Sequence, residues 1–149
     1  MLIYCICRAE FATDLNASGF AGRWNLDRQW VIYASATRSL AALEQMANRG
    51  RSGLSMPYRV MAIDVPSTSI HTVSPEMLPT DWRLLSGYGR LQDFGARWYR
   101  RMDSLLLSVP SVLVPQEYNY LIHTKHPDFC SKVRLVGVED FNWDRRLTV

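Results

Sequence analysis

Glu44 is the first side chain in this sequence whose type and position suggest chemistry. Residues 38–49 have the apolar spacing of an amphipathic helix, with a stripe made by Leu40, Leu43 and Ala47. Glu44 lies at the border of that stripe and away from the charges of the opposite helix face. Because desolvating a carboxylate is costly, Glu44 is either a partly buried group with a dedicated partner or an edge residue that reaches solvent.

A second candidate is the tripeptide Gly22-Arg23-Trp24. The glycine allows the backbone to bend, and the planar guanidinium of Arg23 is suited to a diphosphate or a carboxylate. Trp24 is expected either to stack on a base or to cover an apolar edge. The alternative is a surface arginine beside a core tryptophan.

Ser111 places a hydroxyl in an apolar stretch bounded by Pro110 and Pro115. In the strand predicted there, the hydroxyl is buried or lines a cleft, and it needs a hydrogen-bond partner in both cases. No Gly-x-Ser-x-Gly elbow is present, and no histidine or acid stands at a spacing typical of a serine hydrolase. We therefore expect Ser111 to bind a ligand or to support the structure, and not to act as a nucleophile.

A zinc site is a fourth possibility, because His123, His126 and Cys130 all have metal-ligand chemistry. Their spacing fits no standard structural zinc pair and no fourth ligand is evident, so we predict ordinary loop residues near Pro127 and no metal. The glycine-rich signatures of nucleotide-binding loops are absent as well.

The elements that must position these residues alternate irregularly. The predicted helices cover about 37–49, capped by Ser35 or Thr37 and closed by Gly50, and 90–102. Residues 16–29 and 67–89 are predicted to be loops, the second with at most a short helical turn. Strands are predicted at Leu2–Cys7, Trp30–Ser35, Tyr58–Val65, Ser111–Val114, Tyr118–Ile122 and Lys132–Val138. This order predicts an α+β fold rather than a doubly wound one.

Composition narrows the class of protein. The 149 residues suit one domain over 1–149, and no apolar run approaches the roughly 20 residues that span a bilayer, so no membrane association is expected. Three cysteines without a leader-like start favour a reducing, cytoplasmic compartment. With a net charge of only +3 and scattered basic residues, no direct nucleic-acid binding is expected.

The order of several short segments resembles the RES-domain family. The first half carries Gly22-Arg23-Trp24-Asn25, Val31-Ile32-Tyr33-Ala34-Ser35 and Ala41-Ala42-Leu43-Glu44, and Leu106 to Ser111 is similar to the family's leucine-x-valine-proline-serine signature. Segments at 115–120, 126–129 and 141–147 follow in the family's order, so the resemblance extends over nearly the whole chain. One departure is His123-Thr124-Lys125-His126-Pro127, where the family has asparagine-proline-x-histidine-proline.

The resemblance implies an ADP-ribosyltransferase-like mixed sheet with flanking helices and a function as the toxin of a toxin–antitoxin pair. The family's arginine, glutamate and serine match Arg23, Glu44 and Ser111. These residues and Tyr33 are implied to be catalytic, and Arg23, Trp24, Tyr33, Ser111 and Asn119 to bind the ligand. NAD is implied as a substrate, with no prosthetic group, and the implied partner is an antitoxin with a Xre-like DNA-binding domain. A small contribution of Arg8 to the pocket is also expected.

Three functions remain open at this point. The chain degrades NAD by cleaving the nicotinamide–ribose bond, or it transfers ADP-ribose to a specific protein, or it is a binding module without catalysis. The presence of arginine, tyrosine, glutamate and serine at the family's positions favours an enzyme.

Overall fold

A seven-stranded sheet organises the computed structural model, which describes residues 1–50, 53 and 55–148. The sheet order is β4-β5-β6-β2-β1-β3-β7, and every neighbouring pair is antiparallel except β4 with β5. The strands are β1 (Leu2–Arg8), β2 (Val31–Ser35), β3 (Tyr58–Asp64), β4 (Ile70–Thr72), β5 (Leu106–Pro110), β6 (Tyr118–His123) and β7 (Arg134–Phe141).

The described helices are α1 (Arg38–Arg49), α2 (Tyr88–Arg101), α3 (Phe129–Lys132) and α4 (Arg145–Thr148), with short 3-10 turns at Ala9–Phe11, Pro75–Met77 and Leu85–Gly87. The predicted α+β fold is therefore confirmed. No helix in the described part of the chain combines the length and the apolar character needed to cross a membrane.

One predicted strand is wrong. Residues 112–114 form bends after a strand that ends at Pro110, because the backbone N–H groups of Leu113 and Val114 both turn back to the hydroxyl of Ser111, each at 3.1 Å. The true strand is the continuously buried run Leu106–Pro110. The short strand β4 lies in the segment predicted to be a loop.

The two faces of the sheet are covered differently. The front face carries Ile6 of β1, Tyr33 of β2 and Leu121 of β6, as the strand registers and the two-residue alternation require. The back face carries Ile3, Ile32 and Ile122, and packs against Ala12, Leu15, Ala17 and Phe129. Val31 and Ile32 lie on opposite faces of β2.

Both long helices lie on the front face, over different strands. Ala41 of α1 packs with Ile6 and Val60 of β1 and β3. Leu91 and Trp98 of α2 pack with residues of β5 and β6, including Leu107 and Leu121. The front face of β2 therefore lies between the two helices.

Local chemistry fixes the start of α1 and the approach of α2. Of the two predicted caps, Thr37 is the one used, since its side chain accepts a hydrogen bond from the Leu40 N–H at 3.1 Å. Gly95 lets α2 approach the loop that carries Arg23, because a Cβ at this position would lie 1.7 Å from the carbonyl oxygen of Trp24.

Candidate active site

Glu44 is the centre of a hydrogen-bonded group on the front face. Its Oε1 accepts a bond of 2.8 Å from the hydroxyl of Ser111 and one of 2.6 Å from the amide nitrogen of Asn119. The amide oxygen of Asn119 in turn accepts a bond of 2.6 Å from the hydroxyl of Ser35. Four separate elements supply these side chains: α1, the turn after β5, β6 and β2. The half-buried carboxylate has dedicated partners, which was one of the two alternatives left open by the helix periodicity.

Ser111 is completely buried, and its hydroxyl uses its full bonding capacity. The single proton is donated to Glu44, and the oxygen accepts from the N–H groups of Leu113 and Val114. As described, the hydroxyl supports Glu44 and the turn, and a contact to a ligand would require one of these three bonds to open.

A second group forms around the hydroxyl of Tyr33. It donates to the side-chain oxygen of Asn25 at 2.7 Å and accepts from the backbone N–H of Trp24 at 3.1 Å. Burial raises the pKa of Tyr33, so the phenol stays protonated as a hydrogen-bond donor. Tyr33 as a whole residue is 37% exposed, which leaves ring surface for a ligand.

Asn25 fixes the loop that carries Arg23. It is 1% exposed, and its amide nitrogen lies within 3.2 Å of the carbonyl oxygens of Phe20, Leu26 and Gln29. Gly22 is needed beside it, because a Cβ there would lie 2.7 Å from the hydroxyl of Tyr33.

Arg23 is held in place but incompletely bonded. Its guanidinium carbon lies 5.0 Å from the centre of the Tyr88 ring at the start of α2. Its Nη1 is buried and has no hydrogen-bond partner among the described residues. A buried cationic donor without an acceptor is costly, which suits a site that receives an anion.

The two groups adjoin each other. Tyr33 and Ser35 are two residues apart on β2, so their side chains leave the same face of the strand roughly 7 Å apart. β1 and β2 are paired only at Tyr4 and Ser35, while each pairs along its full length with its other neighbour, so the two strands separate toward Arg8 and Val31. The exposed ring of Tyr33 lies where the sheet opens. Arg8 ends β1 on this side, and its Nε is also buried with no partner in the described part of the chain.

The expected stacking role of Trp24 is not supported. Its side chain is 3% exposed and packs edge-on against Phe94 of α2, with ring centres 6.3 Å apart. The ring is therefore part of the core beneath the loop, which is the alternative that the sequence left open. Its contribution to the site comes from the backbone N–H that binds Tyr33.

His123 and His126 both make hydrogen bonds that stabilise the local fold. The buried His123 ring stacks on Tyr99, bonds its carbonyl oxygen through Nε2 at 2.9 Å and accepts from the Lys125 N–H at Nδ1. His126 similarly contacts the carbonyl oxygen of Met102 and the N–H of Asp128. No group of three or more metal-ligating side chains occurs among residues 1–50, 53 and 55–148.

Sequence reasoning missed Ser35, Tyr88 and Gln92 as site residues. Gln92 of α2 donates to the carbonyl oxygen of Gly22 at 2.9 Å and so clamps the Arg23 loop. Ser35 carried a usable signal, since it follows Tyr33 by two residues on the same strand and had been considered only as a helix cap. Tyr88 and Gln92 carried none, because their roles depend on how α2 packs.

A separate concavity of about 330 Å³ lies between α2 and residues 77–79. It is bordered by Met77, Pro79, Arg90 and Arg97, and includes none of the predicted site residues. The chemistry-bearing groups described above therefore define a different place on the molecule.

The predicted mixed sheet with flanking helices is confirmed, and a solved toxin shares this fold. The solved M. tuberculosis MbcT–MbcA toxin–antitoxin complex contains a similar chain, with a TM-score of 0.78 over 95% of this chain and 84% of that one at 17% identity.

The chain belongs to the RES domain family, whose model matches residues 4–144. A relative from Yersinia enterocolitica named Toxin Res is 30% identical over 99% of both chains. A relative from a Sphingobium strain, named Prs ADP-ribosylating toxin, is 36% identical over 81% of this chain and 79% of its own length.

Proposed function

We propose that this chain is the toxin of a toxin–antitoxin pair and that it cleaves the nicotinamide–ribose bond of NAD. The observation that carries the proposal is the state of Glu44, whose Oε1 is held by two donors while its Oε2 has no hydrogen-bond partner among the described residues. A fixed carboxylate with one free oxygen is suited to a substrate hydroxyl. The relatives named as toxins support the biological part of the proposal.

Cleavage of the bond develops positive charge on the ribose, because nicotinamide departs with the bonding electron pair. Glu44 accepts a hydrogen bond from a ribose hydroxyl through Oε2 and stabilises that charge. The acceptor then forms the new bond to the anomeric carbon and gives up its proton. Electrostatic stabilisation of this kind is often the largest single contribution to catalysis.

The remaining residues bind and orient the dinucleotide. Arg23 pairs with the pyrophosphate, which supplies the missing acceptor for its buried Nη1, and Arg8 at the open edge of the sheet assists it. The exposed ring of Tyr33 packs against nicotinamide or ribose. Asn119 and Ser111 hold Glu44, and either can exchange a bond with the ligand once it is bound. NAD is the substrate in this proposal and no prosthetic group takes part.

Transfer of ADP-ribose to a protein is the second candidate. It is favoured by the Sphingobium relative, whose name states that it is an ADP-ribosylating toxin. The same residues serve both reactions up to departure of nicotinamide, and the reactions differ only in the acceptor.

The proposed partner is an antitoxin with a Xre-like domain, which covers the front face between α1 and the Arg23 loop and itself contacts any DNA. The proposed compartment is the cytoplasm, and the proposed domain is a single one over residues 1–149. By covering this face, the antitoxin would block access of NAD to the site. An antitoxin complex that turned over NAD at the rate of the free chain would contradict this inhibition.

The experiment incubates the purified chain with NAD labelled in its adenylate half, with and without phosphate and with a lysate as the source of acceptor proteins. Free nicotinamide together with label in ADP-ribose, or in its phosphate, supports degradation. Label retained on a protein band supports transfer. Absence of nicotinamide release under all conditions would overturn both enzymatic candidates and leave the binding module.

A further inference from the structure

Ser35 is a buried hydroxyl that neither the resemblance nor the helix pattern connects with catalysis. It is 3% exposed and donates a hydrogen bond of 2.6 Å to the amide oxygen of Asn119. The Asn119 amide nitrogen donates to Glu44 Oε1, also at 2.6 Å. Ser35 is therefore linked through two hydrogen bonds and one side chain, that of Asn119, to the carboxylate that the proposed function requires.

We infer that Ser35 is a positioning residue for Glu44, acting through the side-chain amide of Asn119. The inference rests on the proposed function, because it gives Glu44 the role described above. An asparagine amide has an acceptor end and a donor end, and only one orientation presents the donor to the carboxylate. Ser35 binds the acceptor end and so keeps the amide from rotating away from Glu44.

The backbone places the two residues for this task. Ser35 and Asn119 are directly opposite each other in the β2–β6 pair, and both side chains leave the front face. Ser35 is also the residue of β2 that pairs with Tyr4 of β1, at the only paired position before these strands separate. The Ser35 backbone is thus fixed by strands on both sides. Glu44 instead lies on a helix, so contacts from side chains of the sheet are needed to fix its carboxylate.

The consequence for Glu44 is a fixed direction for Oε2, the oxygen without a hydrogen-bond partner among the described residues. Ser111 and Asn119 both bind Oε1, and two donors from different elements define the plane of the carboxylate better than one. Without Ser35, the Asn119 amide is free to turn, and Glu44 is held by Ser111 alone. This geometry should affect the rate of nicotinamide release more strongly than it affects the affinity for the substrate, because a reacting group must be aligned in the transition state.

The kinetic test compares Ser35→Ala with Ser104→Ala. Ser104 is a matched control: it is 6% exposed, its hydroxyl donates to the Leu106 carbonyl oxygen and accepts from the Trp98 indole, and it lies in a different part of the core. We expect Ser35→Ala to lower kcat about tenfold with KM for NAD within twofold of the wild-type value. Ser104→Ala should lower stability but leave kcat unchanged. An unchanged kcat in Ser35→Ala, or an equal loss in both variants, would overturn the inference.

A double-mutant cycle separates the relay from a general structural effect. If Ser35 acts through Asn119, adding Ser35→Ala to Asn119→Ala lowers kcat no further than Asn119→Ala alone does. Additive losses would contradict a relay.

A measurement without substrate keeps the inference independent of the proposed function. The side-chain NH₂ resonances of Asn119, assigned by their loss in Asn119→Ala, should be protected from exchange in the wild-type chain and lose that protection in Ser35→Ala. Unchanged protection would refute the relay. If the resonances respond but the wild-type chain releases no nicotinamide, the relay stands and the proposed function fails.

Discussion

Replacing Ser111 with alanine should both destabilise the fold and impair the site. The substitution removes three hydrogen bonds, one donated to Glu44 and two accepted from the backbone N–H groups of Leu113 and Val114. Leaving a buried polar group unsatisfied costs about 1–3 kcal/mol, and part of the cost is recovered where the turn reaches water. We therefore expect the free energy of unfolding to fall by about 2–4 kcal/mol.

The assay is urea unfolding followed by tryptophan fluorescence, with linear extrapolation to water. Ser131→Ala is the control, because the Ser131 hydroxyl makes one exposed bond to the Asp128 carbonyl oxygen and its removal should change stability by less than about 0.5 kcal/mol. Nicotinamide release by Ser111→Ala should also fall, since Glu44 then depends on Asn119 alone. A loss of stability below about 1 kcal/mol, together with release at the wild-type rate, would refute the reasoning.

Three further perturbations follow from the packing and the charges. Gly95→Ala should destabilise the chain by more than about 3 kcal/mol in the same unfolding assay, because its Cβ would collide with the loop backbone. The control Gly89→Ala, whose Cβ meets open space, should be neutral or slightly stabilising. Equal effects of the two substitutions would contradict the described packing. Burial lowers the pKa of His123, so below pH 6.5 the imidazole binds a proton more readily in the unfolded chain than in the folded one. The free energy of unfolding should therefore be level above pH 6.5 and fall below it. His123→Gln should show a smaller fall between pH 7.5 and 5.5. A decline of equal size in the variant would count against that assignment. Arg23→Lys should raise KM for NAD about tenfold in the nicotinamide-release assay, because a point charge replaces a planar fork; an unchanged KM would remove Arg23 from pyrophosphate binding.

Patterns that depend on local spacing were readable from the sequence. The helix of α1, its cap by Thr37 and its end at Gly50 follow from the residues themselves. The border position of Glu44 left open whether its carboxylate has partners, and the structure gives it two. The family resemblance added Asn119, which no spacing rule selects.

Features that depend on long-range packing were not readable. The stretch with Pro110 and Pro115 looked like a bounded strand, but Pro110 ends β5, where it pairs with Tyr118, and the turn after it is built around the Ser111 hydroxyl. Trp24 was equally compatible with a base or a core, and only its contact with Phe94 decides.

We propose above all that the carboxylate of Glu44 stabilises the positive charge that develops on the ribose as the nicotinamide–ribose bond of NAD breaks. The most direct test measures the rate of nicotinamide release at saturating NAD for the wild-type chain, Glu44→Gln and the exposed control Glu76→Gln. The Glu44→Gln amide oxygen still accepts the bonds from Ser111 and Asn119, so the fold should persist while the rate falls about 10²–10⁴-fold, and Glu76→Gln should match the wild-type chain. Wild-type turnover by a folded Glu44→Gln variant would contradict the account.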